Sequence, residues 1–186
     1  MASSVKRFGV DMSRPFFLAL LVCRALTAQA PNALVSEAKF PWTVVRNNLL
    51  KMAEKMPAEN YGFKPTPEIE SFGQRLAHIA GANLFVCEGV MGHQTTLSGP
   101  AATSKPELIA LLKQASAVCD SAFDSLSDAA AMEKISSRLG GPLPPEPTRT
   151  KLATLNNMVR HSNEVYGYMC VYLRLKGIVP PSSAPE

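Results

Sequence analysis

Long apolar runs are nearly missing from this 186-residue chain, and runs of basic residues are missing altogether. The one extended apolar stretch, PFFLALLV at residues 15–22, is too short to span a bilayer, and no second one follows it. A membrane-inserted role therefore has no support beyond the first thirty residues. Without a basic stripe there is also no electrostatic footprint for nucleic acid or anionic lipid. Internal repeats and convincing strand patterns are absent too. Histidine is scarce: only His78, His93 and His161 occur, and no two of them stand four apart as a helical metal-binding pair would.

What charge there is gathers at the start. Lys6, Arg7 and Arg14 precede the apolar run, and Ala28, Gln29 and Ala30 follow it, the arrangement of a signal peptide with a small-residue cleavage site. Arg24 inside the apolar region and Pro31 directly after the cut are departures from that arrangement. Residues 1–30 are read as this leader, residues 31–183 as one domain and residues 184–186 as a flexible tail. The leader holds four of the 19 basic and one of the 15 acidic residues, which leaves 15 against 14, a net charge of +1 for the remainder. The expected location is periplasmic or secreted.

Four cysteines are present, and Cys23 falls in the leader. In an oxidising compartment Cys87, Cys119 and Cys170 amount to one pair and one remaining thiol. Cys87 and Cys119 are the disulfide candidates, with two buried free thiols as the competing reading. Cys170 has no base beside it in the sequence and reads as a packed thiol.

The prolines leave four uninterrupted windows, residues 42–56, 68–99, 107–141 and 148–179. Val45, Leu49, Met52 and Met56 recur at helical spacing in the first window. In the second, Ile69, Phe72, Leu76, Ile79, Val86 and Val90 do the same. The third opens on Ser104-Lys105-Pro106-Glu107, a helix-start signature with an early proline, and continues with Leu108, Leu111, Leu112 and Ala115. Gly177 followed by Pro180-Pro181 stops the fourth. A short helix is expected in DAAAMEKISSRL, and PSSAPE is expected to be a mobile end. The fold class is all-α, a four-helix bundle.

In the fourth helix, Met158, Val165, Tyr168, Tyr172 and Leu175 fall on the same side as His161 at 100° per residue, which predicts His161 at the centre of the inward face. On that evidence it is a core histidine with a structural partner. His78 lies on a flank of the second helix and His93 at its end, so periodicity alone does not join His78 to His161.

The segments LLKMAEKMPAENYGFKPTPEIESFGQRLAHIAGAN and HSNEVYGYMCVYLRLKGIVPPSS closely resemble the DinB-like (YfiT-type) bundle family, in particular an exported subgroup. The resemblance runs from about residue 35 to residue 183. It implies an up-down-down-up bundle and a divalent metal (zinc, nickel, iron or manganese) held by three histidines. It further implies hydrolase or thiol S-transferase chemistry, with pairing into homodimers in some members. Carried over by position, the ligands are His78 and His161, while the third position is Val165. Asn157 and Glu164 are the side chains that could substitute. Two hypotheses follow from this. One is a metal-dependent enzyme acting on an unidentified small molecule; the other is a non-catalytic exported bundle that binds a small apolar ligand or a protein partner.

Overall fold

The computed structural model describes residues 32–93, 103–135 and 149–184, so the leader and its cleavage site lie outside the described residues. Four long helices carry the fold: α1 (Ala33–Lys55), α2 (Phe72–Met91), α3 (Lys105–Asp124) and α5 (Lys151–Leu175). A single-turn α4 (Asp128–Ala131) stands apart from α3. Each long helix packs on two others, in the cyclic order α1, α3, α2, α5, so consecutive helices α1 and α2 sit across a diagonal. This is the all-α four-helix bundle expected from the sequence.

α1 begins nine residues earlier than the proline windows suggested and runs through Pro41. Pro41 cannot donate to the carbonyl one turn back, a cost that normally ends or bends a helix. Burial of Val35 and Ala38 before it and Trp42 after it holds the helix together across the gap. The helix start is also anchored from a distance, because both carboxylate oxygens of Asp128 accept from backbone N–H groups, Leu34 and Val35, at 3.1 Å each.

Local signals set the other helix ends. Ser71 and Gln74 form a reciprocal capping box at the start of α2, with Gln74 N–H donating to Ser71 Oγ (3.2 Å) and Ser71 N–H to Gln74 Oε1 (2.8 Å). Gly92, at φ 88°, closes α2, and Gly177, at φ 72°, lies two residues past the end of α5. Both take a left-handed conformation that suits glycine. Pro106, the early proline of the helix-start signature, is the second residue of α3.

Two corrections concern the connections. Residues with no strand pattern form a two-residue antiparallel ladder, β1 (Lys134–Ile135) with β2 (Arg149–Thr150), pairing Lys134 with Thr150. The carboxyl end is also not loose as far as Ser183. A 3₁₀ turn spans Pro181–Ser183, and the Tyr166 hydroxyl both donates to Ser182 Oγ (2.9 Å) and accepts from Ser182 N–H (3.0 Å).

The core is continuous along the bundle axis. Trp42, Leu49, Met52, Phe72, Leu76, Ile79, Leu112, Phe123, Leu155 and Met169 are all fully buried. The sulfur atoms of Cys87 on α2 and Cys119 on α3 are 2.01 Å apart within it, a disulfide with its Cα atoms 5.1 Å apart. Cys170 is half-buried on α5, and burial pushes its thiol up in pKa, away from nucleophile behaviour. No helix among the described residues is long and apolar enough to cross a membrane.

Candidate functional site: a histidine pair between α2 and α5

The buried residues of α5 are Thr154, Leu155, Met158, Val159, Ser162, Val165, Tyr166, Met169, Tyr172 and Leu173. Taking 100° per residue, His161 is roughly 85° from the centre of that face. It is a shoulder residue with a third of its side chain exposed, not the centre of the core stripe. The sequence reading went astray on Tyr168 and Leu175, which are apolar in type but 53% and 58% exposed. Counting them as buried drags the apparent face toward His161.

His78 is an exposed flank residue of α2, as periodicity indicated. Because α2 and α5 are neighbours, the flank of one meets the shoulder of the other. The two imidazoles stand edge to face, with planes 77° apart and centroids 5.3 Å apart, and their Nε2 atoms are 3.1 Å from each other. Two nitrogens this close, each with a lone pair available in the ring plane, suit a shared proton or a shared cation. Nitrogens at about 2.0–2.1 Å from one ion would be about 2.9 Å apart at a right angle and about 3.4 Å apart at the tetrahedral angle. The observed separation falls between, so the pair fits as two ligands of a divalent transition metal.

Behind the pair, Ser162 Oγ donates to Asn83 Oδ1 across the same two helices (3.1 Å), with both residues buried. This is a polar bond inside an apolar core, and sequence reasoning missed it. Ser162 and Asn83 on core faces were the available signal, since buried polar groups nearly always find partners.

The other sequence-derived residues fall in three places. Val165 is 1% exposed and packs into the core, so the third family position carries no donor. Asn157 Oδ1 accepts from Arg160 Nε and a terminal guanidinium nitrogen, both at 3.2 Å. Glu164 accepts from Arg160 (3.2 Å) and from the Tyr168 hydroxyl (3.0 Å), and its Oε2 is 4.0 Å from Nδ1 of His161, the ring nitrogen that does not face His78. Among the described residues no three His, Cys, Asp or Glu side chains gather as a metal-holding group. His93 is an exposed residue at the end of α2, paired with Glu88.

Burial depresses the pKa of His161, and the neighbouring His78 and the Arg160 and Arg75 cations push the same way while Glu164 opposes them. A neutral imidazole is the form with a lone pair to offer a cation.

Comparison with known proteins bears on the fold and the family. No match to a curated protein was found. Among solved structures, the chain is similar to a DinB-like protein from Bacillus cereus, with a TM-score of 0.60 and 19% identity over 75% of this chain and 91% of that one. At that identity the likeness speaks for the bundle alone. The sequence profile of the DinB superfamily matches residues 42–169, a span that enters at Trp42 in α1, crosses all four long helices and leaves at Met169 in α5. The chain belongs to the DinB superfamily.

Proposed function

We propose that this protein is an exported metal-dependent hydrolase or thiol S-transferase whose divalent ion is held by Nε2 of His78 and Nε2 of His161. The observation that carries the reading is the 3.1 Å separation of those two nitrogens on separate helices. A bound divalent ion would supply Lewis acidity and lower the pKa of a coordinated water or thiol. The chain's own part is to fix two imidazoles on rigid helices and keep His161 neutral by burial. Val165 fills the third family position, so a small-molecule substrate would approach the ion from the solvent side, where His78 is exposed and a third of the His161 side chain is accessible.

Two ligands instead of four set the affinity. If the roughly 10–16 kcal/mol of a four-ligand zinc site were shared evenly, two would retain about 5–8 kcal/mol, a Kd from about 0.2 mM to about 1 μM. The site is then a weak one completed by water or substrate. Export is supported by the leader-like start of the sequence and by the Cys87–Cys119 bridge, a bond of oxidising compartments.

The test is elemental analysis of the protein purified from the exported fraction without chelator or an added histidine tag. After equilibration with about 1 mM free zinc, nickel, iron or manganese, near one equivalent of bound ion, lost in His78→Ala and in His161→Ala, is the expected result. Absence of metal, with no gain in thermal stability on adding those ions, would overturn it. That outcome would favour a second reading, which rests on the burial of Val165. An apolar side chain packed into a ligand position completes a core, as in a non-catalytic bundle that binds an apolar ligand or a partner chain.

A further inference from the structure

Glu164 was a candidate to replace the missing metal ligand, and its surroundings suit it to a different task. It stands one turn after His161 on α5, where residues three apart share a face. Tyr168, one turn further on, donates to its Oε1, and Arg160, one turn back, donates to its Oε2. The carboxylate is thus gripped at both oxygens from its own helix. Its Oε2 is 4.0 Å from His161 Nδ1, a charge contact longer than a hydrogen bond, on the side of the ring away from His78.

A neutral imidazole carries its proton on one nitrogen only, and the partner of the other nitrogen decides which. A negative charge 4.0 Å from Nδ1 favours the proton on that nitrogen, where the N–H dipole lowers the energy of the pair. Nε2 then keeps its lone pair and directs it at His78. Since the two Nε2 atoms are 3.1 Å apart, one of them must be a donor in the metal-free protein, and with His161 fixed this way the donor is His78.

We propose that Glu164 is a positioning residue that holds His161 in its Nδ1–H tautomer, so that Nε2 of His161 is a standing acceptor for the His78 Nε2–H and for any cation that replaces that proton. The last clause rests on the metal reading above; the tautomer does not. To hold a cation there, His78 would have to release its Nε2 proton to water and take one at Nδ1, which its solvent-exposed ring permits. His161 needs no change. Outer carboxylates that orient a metal-binding histidine in this manner typically alter affinity by about 10–100-fold.

Long-range proton–nitrogen NMR of the metal-free, uniformly labelled protein, at a pH above 7.5, reads the tautomers directly. The expected result is a protonated Nδ1 on His161 and a protonated Nε2 on His78, with His161 reverting to a mixed or Nε2–H state in Glu164→Ala. A protonated Nε2 on His161 in the natural chain, or no response to Glu164→Ala, would overturn the proposal. Zinc titration by chelator competition supplies the second readout. Glu164→Ala should weaken binding by about 10–100-fold at unchanged melting temperature. Glu164→Gln, which keeps the side chain's shape but not its charge, should weaken binding nearly as much as Glu164→Ala, because the 4.0 Å contact acts through charge. If zinc binds equally well to the natural chain and to Glu164→Ala, the positioning role is lost while the metal site stands. If neither binds zinc, the metal reading is lost and the NMR result alone decides the tautomer.

Discussion

Ser162 on α5 donates to Asn83 on α2 at 3.1 Å in the fully buried layer immediately behind the histidine pair. The bond fixes the register of the two helices, because Ser162 follows His161 directly and Asn83 is little more than one turn beyond His78. Removing the hydroxyl leaves a buried amide oxygen without its donor, which costs about 1–3 kcal/mol. Ser162→Ala should lower stability by that amount in urea denaturation. It should also broaden the His78 and His161 ring signals relative to the natural chain. A Ser162→Ala protein of unchanged stability would mean that the bond contributes nothing to holding α2 against α5.

The Cys87–Cys119 bridge ties the two helices that pack most extensively on each other, and its cysteines are 32 residues apart in sequence. Closing a loop of that size in the unfolded chain is worth about 3–4 kcal/mol. Paired substitution Cys87→Ala with Cys119→Ala should therefore shift the urea midpoint downward by a corresponding amount without changing helical content. Alkylation under non-reducing denaturing conditions should label Cys170 and neither Cys87 nor Cys119. Labelling of all three by mass spectrometry would show the bridge to be absent from the purified protein.

Much of the fold was legible because four proline-free windows carry apolar residues at helical spacing: α2 and α5 sit inside them, and α3 starts two residues before its window, with Pro106 in its first turn. The start of α1 was not, since Pro41 signals an end by local rules. The residues that override it act from elsewhere: Trp42 makes its indole hydrogen bond to Asp120 on α3 at 2.8 Å, and Asp128 reaches back to Val35. The pair of histidines was illegible for a related reason. Periodicity reports how a residue sits on its own helix, whereas His78 and His161 meet only through the α2–α5 packing. The family resemblance joined them, and spacing alone would have left His78 on a flank and His161 in the core.

Asp128 supplies the cap that the residue before α1 does not. Asn32 sits there in a left-handed conformation, φ 69°, with no side-chain bond to the helix. Two N–H groups that a helix start leaves unpaired are satisfied by a carboxylate more than ninety residues away, and the negative charge also suits the positive end of the helix dipole. Loss of a cap costs about 0.5–2 kcal/mol. Asp128→Ala should fall in the upper half of that range, with faster amide hydrogen exchange at Leu34 and Val35. Asp128→Asn should retain part of the effect. Unchanged exchange at those two amides in Asp128→Ala would show that the cap does not protect the helix start.

His161 makes the metal-free fold sensitive to mild acid. Burial, His78 and the Arg160 and Arg75 cations depress its folded pKa, with Glu164 opposing them. The unfolded chain therefore binds this proton more readily than the folded one. Stability associated with His161 is present above the unfolded value near 6.5 and is lost as pH falls from there through the folded value. Denaturation midpoints measured from pH 7.5 to 5 should decline with a slope that His161→Gln reduces. The same slope in both proteins would assign the acid sensitivity to other groups.

Val165 is the residue that separates the two functional readings, and a single substitution makes the distinction measurable. It follows His161 by four positions, so the two share one side of α5 at a rotation of roughly 40°. A histidine placed there can turn toward the pair, at the expense of a well-packed aliphatic contact in the core. On the equal-sharing argument a third ligand adds about 2.5–4 kcal/mol, or about 10²–10³ in affinity. Val165→His should accordingly bind zinc about 10²-fold or more tighter than the natural chain, measured by chelator competition, while unfolding at lower urea before zinc is added. Tight binding by the natural chain with no gain in Val165→His would mean that water or substrate already completes the site. A natural chain that binds no zinc, beside a Val165→His protein that binds tightly, would mean that the core has closed over a vestigial metal centre.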